Sequence, residues 1–130
     1  MKEIEFESLT PNLMVEEVGQ SLKFYEHLGF TLAMSVPDES PYHWAMIQKE
    51  GARLMLQSID NLHEDIPALK SETPGGGFTL FLKMKGIDAL YEKIKGSVKI
   101  VDDMRSTFYQ TKEFTIQDPD GYFITFAEPQ

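Results

Sequence analysis

The side chains of this 130-residue chain that could do chemistry are few and far apart. There are three histidines, His27, His43 and His63, and no cysteine, which excludes disulfides, thiolate metal sites and cysteine nucleophiles. His43 follows a proline-bounded loop and opens a strand-like stretch, a position suited to a ligand donor or a general base at a pocket mouth. His63-Glu64-Asp65 groups three metal-binding residue types, but neighbours on a loop seldom converge on one ion. Asp118 and Asp120 form a carboxylate pair of the kind used in acid/base work or Ca²⁺ binding. Set within Asp118-Pro119-Asp120-Gly121, they are better explained as a turn, where Pro presets φ, Gly supplies a positive φ and Asp accepts local backbone hydrogen bonds. Gly75-Gly76-Gly77 precedes a strand, not a helix, and lacks the Lys-Ser/Thr of a phosphate loop, so it reads as a linker.

The elements that would position these groups follow from hydrophobic spacing. Leu9, Pro11, Leu13 and Val15 alternate with polar or exposed neighbours as a half-buried strand does. Val18, Leu22, Tyr25 and Leu28 form one helical stripe that Gly29 can close in a left-handed conformation. Strands are predicted over 30–36, 42–48 and 52–58, with a turn at Glu50-Gly51. After a connector at about 59–77 the order restarts: a strand over 78–84, a helix over 87–95 closed by Gly96, and strands over 98–101, 113–117 and 122–127. Phe24-Tyr25-Glu26-His27-Leu28 and Leu90-Tyr91-Glu92-Lys93-Ile94 sit at matching points of the two halves, as an internal repeat would place them. The expected fold class is α+β, two βαβββ modules (about 8–58 and about 78–128) in a single domain over 1–130.

Charge narrows the partners. Net charge is −9, and no basic patch is segregated along the chain, so neither nucleic acid nor an anionic membrane surface is an expected partner. No apolar run approaches the roughly 18 residues that span a bilayer, and the charged N-terminal stretch lacks the core of a secretory signal. A cytoplasmic location is therefore expected.

Two stretches carry a family resemblance. Leu13-Met14-Val15 with Phe24-Tyr25-Glu26-His27-Leu28-Gly29-Phe30 is similar to the first strand and helix end, and Phe114 to Phe126 with its Asp118-Pro119-Asp120-Gly121-Tyr122 turn is similar to the final hairpin, of the vicinal-oxygen-chelate superfamily of glyoxalases, bleomycin-resistance proteins and extradiol dioxygenases. The resemblance implies a curved mixed sheet around a cleft. It also implies four ligand positions for a divalent metal, which by the motif spacings fall on Thr10, Met55, Thr79 and Thr125. None is a customary ligand, and no metal or other cofactor is expected.

With those positions facing the cleft, strand parity adds Asn12, Met14, Arg53, Gln57, Phe81, Lys83 and Phe123. Tyr42 or Trp44 from the third strand and Phe108 or Tyr109 near the rim complete a lining suited to a partly planar organic ligand, with His43 at its mouth. The expected ligand-binding set is thus Asn12, Met14, His43, Trp44, Arg53, Met55, Gln57, Thr79, Phe81, Phe108 and Phe123, with no assigned catalytic residue. Arg53 would favour an anionic group. The function so implied is metal-free small-molecule binding, such as sequestration of an antibiotic or metabolite, by a homodimer. The alternative is a glyoxalase-like lyase or isomerase, or a dioxygenase, with an atypical or metal-independent site.

Overall fold

In a computed structural model that describes residues 3–130, the first half of the chain builds β1 (Asn12–Val15), α1 (Val18–His27), β2 (Thr31–Val36), β3 (Trp44–Lys49) and β4 (Ala52–Ser58). The second half repeats the order with β5 (Thr79–Lys83), α3 (Ile87–Ile94), β6 (Lys99–Ser106), β7 (Thr111–Gln117) and β8 (Phe123–Pro129). Each half forms its own four-stranded mixed sheet, ordered β1-β4-β3-β2 and β5-β8-β7-β6, with β1 parallel to β4 and β5 parallel to β8. No strand of one sheet pairs with a strand of the other. The α+β class and the two βαβββ modules read from the sequence are thus present, as two separate sheets that do not close.

Local chemistry explains α1. Its N-terminus is capped by Glu17, whose carboxylate accepts from the backbone N–H of Gly19 (3.0 Å) and Gln20 (2.8 Å). Its C-terminus is a Schellman turn: Phe30 N–H donates to the Tyr25 carbonyl and Gly29 N–H to that of Glu26, with Gly29 at φ +106. The hydrophobic contact that accompanies such a turn is the edge-on packing of Tyr25 against Phe30, ring centroids 5.7 Å apart. Val18, Leu22, Tyr25 and Leu28 are all buried, as their spacing predicts. In the second module α3 begins at Gly86, and Glu128 of β8 accepts from the Gly86 and Ile87 N–H groups.

Three boundaries differ from the sequence reading. β1 starts at Asn12, and Leu9 is exposed. β6 runs on to Ser106; its alternation is interrupted by register shifts, and Asp102, Asp103 and Arg105 leave it a charged outer edge. The connector holds a short helix, α2 (Ile59–Asp65), and a 3₁₀ turn at Pro67–Ser71. Only Leu62 of α2 is buried, so no apolar stripe marks it in the sequence.

The modules share one apolar core, in which Leu13, Tyr25 and Leu56 of the first meet Ile94, Phe114 and Phe126 of the second. They are stapled together by the turn between β7 and β8. Tyr25 Oη donates to Asp118 Oδ2 at 2.6 Å, while Asp118 Oδ1 accepts from the N–H groups of Asp120 and Tyr122. Asp120 accepts from Glu16 N–H and Ser21 Oγ, and Tyr122 Oη donates to the Met14 carbonyl. Gly75, at φ +90, passes so close to this turn that a Cβ there would lie 3.2 Å from the Asp120 carbonyl oxygen, so this position favours glycine.

Burial pushes the Asp118 carboxyl above the usual aspartate range, opposed by the hydrogen bonds from Tyr25 and from two backbone N–H groups. Burial, with the Asp118 charge behind it, pushes the Tyr25 hydroxyl up as well. Tyr25→Phe is expected to lose about 2 kcal/mol of unfolding free energy, since it orphans one buried charge-assisted bond. The folded state holds the Asp118 proton more tightly than the unfolded chain does. The stability from that proton is complete below the ordinary value of 3.8 and is lost as pH rises through the raised one. Urea titrations should therefore show a wild-type minus Asp118→Asn difference that is largest at the acidic end and falls to a plateau toward neutrality.

Candidate functional site

One face of each sheet is buried under the helices and the other faces away. In the first sheet Leu13, Ala45, Ile47, Leu54 and Leu56 point to the core. Strand register puts Asn12, Met55, Met46 and Met34 in one row across the opposite face, and Met14, Gln57, Trp44 and Val36 in the next. Six of the expected binding residues, Asn12, Met14, Trp44, Arg53, Met55 and Gln57, therefore do share a face, as strand parity requires. Part of that face is spoken for. Gln57, only 5% exposed, accepts from Asn12 Nδ2 at 2.8 Å and donates to Asn61 Oδ1 and Asp65 Oδ2 at 2.7 Å, which ties α2 down over Met14. The amides of Asn12 and Gln57 are hydrogen-bonded within the protein. Asp65, read as part of a His-Glu-Asp cluster, is an acceptor in that network.

The second sheet arranges Thr79 beside Phe123, and Phe81 beside Thr125 and Thr115, on the corresponding face. The Thr115 and Thr125 hydroxyls bond each other at 2.8 Å. Phe108 and its edge-on neighbour Tyr109 form the exposed tip of the β6–β7 hairpin. Phe123 is half-buried in its sheet.

The two sheets touch through the Asp118 to Tyr122 turn at the end where β1 finishes and β8 begins. Beside the start of β4 and along β5, from Thr79 to Leu82, they part and leave a groove of about 610 Å³. Arg53, Thr79 and Phe81 come together there with Thr10, over an apolar base that includes Phe30, Leu54 and Ile124. Phe81 is 61% exposed and stands at the opening. Of the eleven expected residues these three converge on one cavity; the core-side leucines and isoleucine beneath them were missed, because parity assigns them to the helix-covered face and gives no sign that the seam gapes.

His43 lies away from this groove. Trp44 is paired with Gln57 and Gln48 with Arg53, so His43 and Arg53 occupy opposite ends of the β3–β4 hairpin, about 15 Å apart along the strands. His27 Nε2 bonds Ser97 Oγ at 2.7 Å on the outer surface. Among the described residues no three His, Cys, Asp or Glu side chains gather as a metal would require. The four positions implied by the family resemblance supply three hydroxyls and a thioether, and Thr125 is already hydrogen-bonded; this donor set does not fit a divalent ion. No helix among the described residues is long and apolar enough to cross a membrane.

A family model described as the Glyoxalase/Bleomycin resistance protein/Dioxygenase superfamily matches residues 8–126. Among solved structures the chain is similar to a protein of unknown function from Agrobacterium tumefaciens (TM-score 0.80, 19% identity, covering 100% of this chain and 98% of that one). It is also similar to a glyoxalase/bleomycin resistance protein/dioxygenase from Nocardioides (TM-score 0.76, 20% identity, 98% and 86%). A third is a bleomycin-binding protein complexed with bleomycin (TM-score 0.67, 18% identity, 96% and 100%). No curated protein matches the chain. At such identities the structures share the fold alone.

The Gln57 network generates a test. Gln57→Met keeps the side-chain volume but leaves Asn12, Asn61 and Asp65 without their partner, and is expected to cost about 2 kcal/mol. Hydrogen exchange should quicken over Ile59–Asp65 and remain unchanged across Thr79–Lys83.

Proposed function

Since the chain belongs to the glyoxalase/bleomycin resistance protein/dioxygenase superfamily, we propose that it is a metal-free small-molecule binding protein of that family, acting in the cytosol to hold a metabolite or an antibiotic. The observation that carries this reading is the seam groove, an apolar-based cavity holding one guanidinium and no set of metal donors. Its volume of about 610 Å³ lies in the range usual for organic ligands, and its mix of apolar area with a few polar groups is the usual composition of such sites. A lyase or dioxygenase reading built on His43 acting beside Arg53 has no support from their positions at opposite ends of one hairpin.

We also propose that the protein works as a homodimer. Edge strand β2 carries no charged residue and exposes Leu32, Met34 and Val36, in contrast to the charged edge of β6. Ile4 and Phe6 are likewise exposed on the extended segment before β1. A second copy is the natural cover for surfaces of this kind.

Three measurements check these statements. Neutral N-phenyl-1-naphthylamine should bind with one saturable site per chain, and Ala52→Phe, which fills the groove, should abolish it; unchanged binding in that variant would place the ligand elsewhere. Light scattering should return about twice the chain mass of 14.9 kDa, falling to the chain mass in Met34→Lys. EDTA should leave the melting temperature within about 1 °C, because a metal bound only to the native state would add stability by mass action.

A further inference from the structure

The seam groove does not stop at Arg53. Beyond the Glu50-Gly51 turn it continues into a second lobe of about 570 Å³, which shares Leu28, Phe30 and Phe81 with the first and has Phe126 at its base. The walls of both lobes are apolar, but the rim is cationic. Lys49, Lys83 and Lys85 border the second lobe and Arg53 the first. Glu50 is the one acidic side chain lining either, and it faces Lys49 at 3.3 Å. Arg53, Lys83 and Lys85 make no ion pair among the described residues.

This placement runs against the charge of the whole. The chain carries 21 acidic and 12 basic side chains, yet four of the 12 stand around this groove with a single carboxylate among them. Cations at the mouth of a low-dielectric cleft focus the local potential and raise the concentration of anions there, even on a molecule of net negative charge. Purely ionic ligands would gain little from the Leu28, Phe30, Leu82 and Phe126 surfaces, and purely apolar ones would leave the unpaired cations unused.

The geometry points to an elongated amphipathic anion as the ligand of the seam groove, its hydrocarbon or aromatic body between the two sheets and its carboxylate, sulfonate or phosphate head at the cations that line the two lobes, Arg53 in the first and Lys83 with Lys49 and Lys85 in the second. The inference rests on the groove being the binding site, as proposed above. It separates this chain from any member of the fold that takes a cationic drug: the surface acidity lies elsewhere, and the groove itself is positive.

Calorimetric titrations with decanoate, decan-1-ol and decylamine, each below its aggregation concentration, test it on the wild type, on Arg53→Glu/Lys83→Glu and on Ala52→Phe. Decanoate should bind saturably and about tenfold or more tighter than decylamine, and the charge-reversed double variant should remove that preference while leaving decan-1-ol unaffected. Both charged residues are exposed, so the double variant is expected to keep the wild-type melting temperature, which is measured alongside. Raising salt from about 50 to 500 mM should weaken decanoate and not the alcohol, since the exposed charges are screened. Decylamine binding as tightly as decanoate, or decanoate binding unchanged in the double variant, overturns the anion assignment; if decan-1-ol still binds and Ala52→Phe abolishes it, the groove reading survives alone. Absence of binding by all three probes overturns both.

Discussion

The rest of the structure depends on a buried carboxylate. Asp118 lies in the turn between the last two strands, and its oxygens take the hydroxyl of Tyr25 from the first module and two backbone N–H groups from its own turn. A carboxylate removed from water has to be fully hydrogen-bonded or it costs several kcal/mol. Tyr25 can reach it only if α1 ends where it does, at the Gly29 turn, with Phe30 packed on its ring. Asp120 and Tyr122 extend the same contact to Glu16, Ser21 and Met14. Helix end and hairpin turn, over 90 residues apart in the chain, are therefore two halves of one joint.

That joint also explains why there is a groove. The polar contacts between the sheets gather around the Asp118 to Tyr122 turn, and the common right-handed twist of both sheets carries their strands away from that attachment. Beside the start of β4 and along β5 the gap exposes groups from the buried faces of both sheets, Leu54 from one and Leu80 and Leu82 from the other. A site assembled from core-facing leucines and rim-facing cations is a consequence of two modules fastened at one corner.

The fold was legible because the residues that encode it are local. Helical spacing from Val18 to Leu28, the glycine after it, and the Asp-Pro-Asp-Gly turn each specify their own geometry and recur in a fixed order. The strand parity of Asn12, Met14, Trp44, Met55 and Gln57 was legible for the same reason. What those side chains do was not: Gln57 reads as a cleft-lining, ligand-binding amide until α2 is seen lying over it, and α2 has a single buried residue to announce it. The groove was legible at Thr10, Arg53, Thr79, Phe81 and Lys83, which strand parity turns toward a cleft. Its remaining walls, with Lys49 and Lys85, come from the relative placement of two sheets, a property of the long-range joint that no local pattern encodes.

We propose that ligand enters the seam between the modules and not the open face of the first sheet. Backbone amide shift mapping during a decanoate titration tests this most directly, because the two locations involve different strands. The largest shifts are expected at Gly29 to Phe30, Lys49 to Leu54 and Leu80 to Lys85, with Trp44, Met46 and Gln57 unmoved. Shifts concentrated on Trp44, Met46, Met55 and Gln57, with the Glu50-Gly51 turn silent, would contradict it.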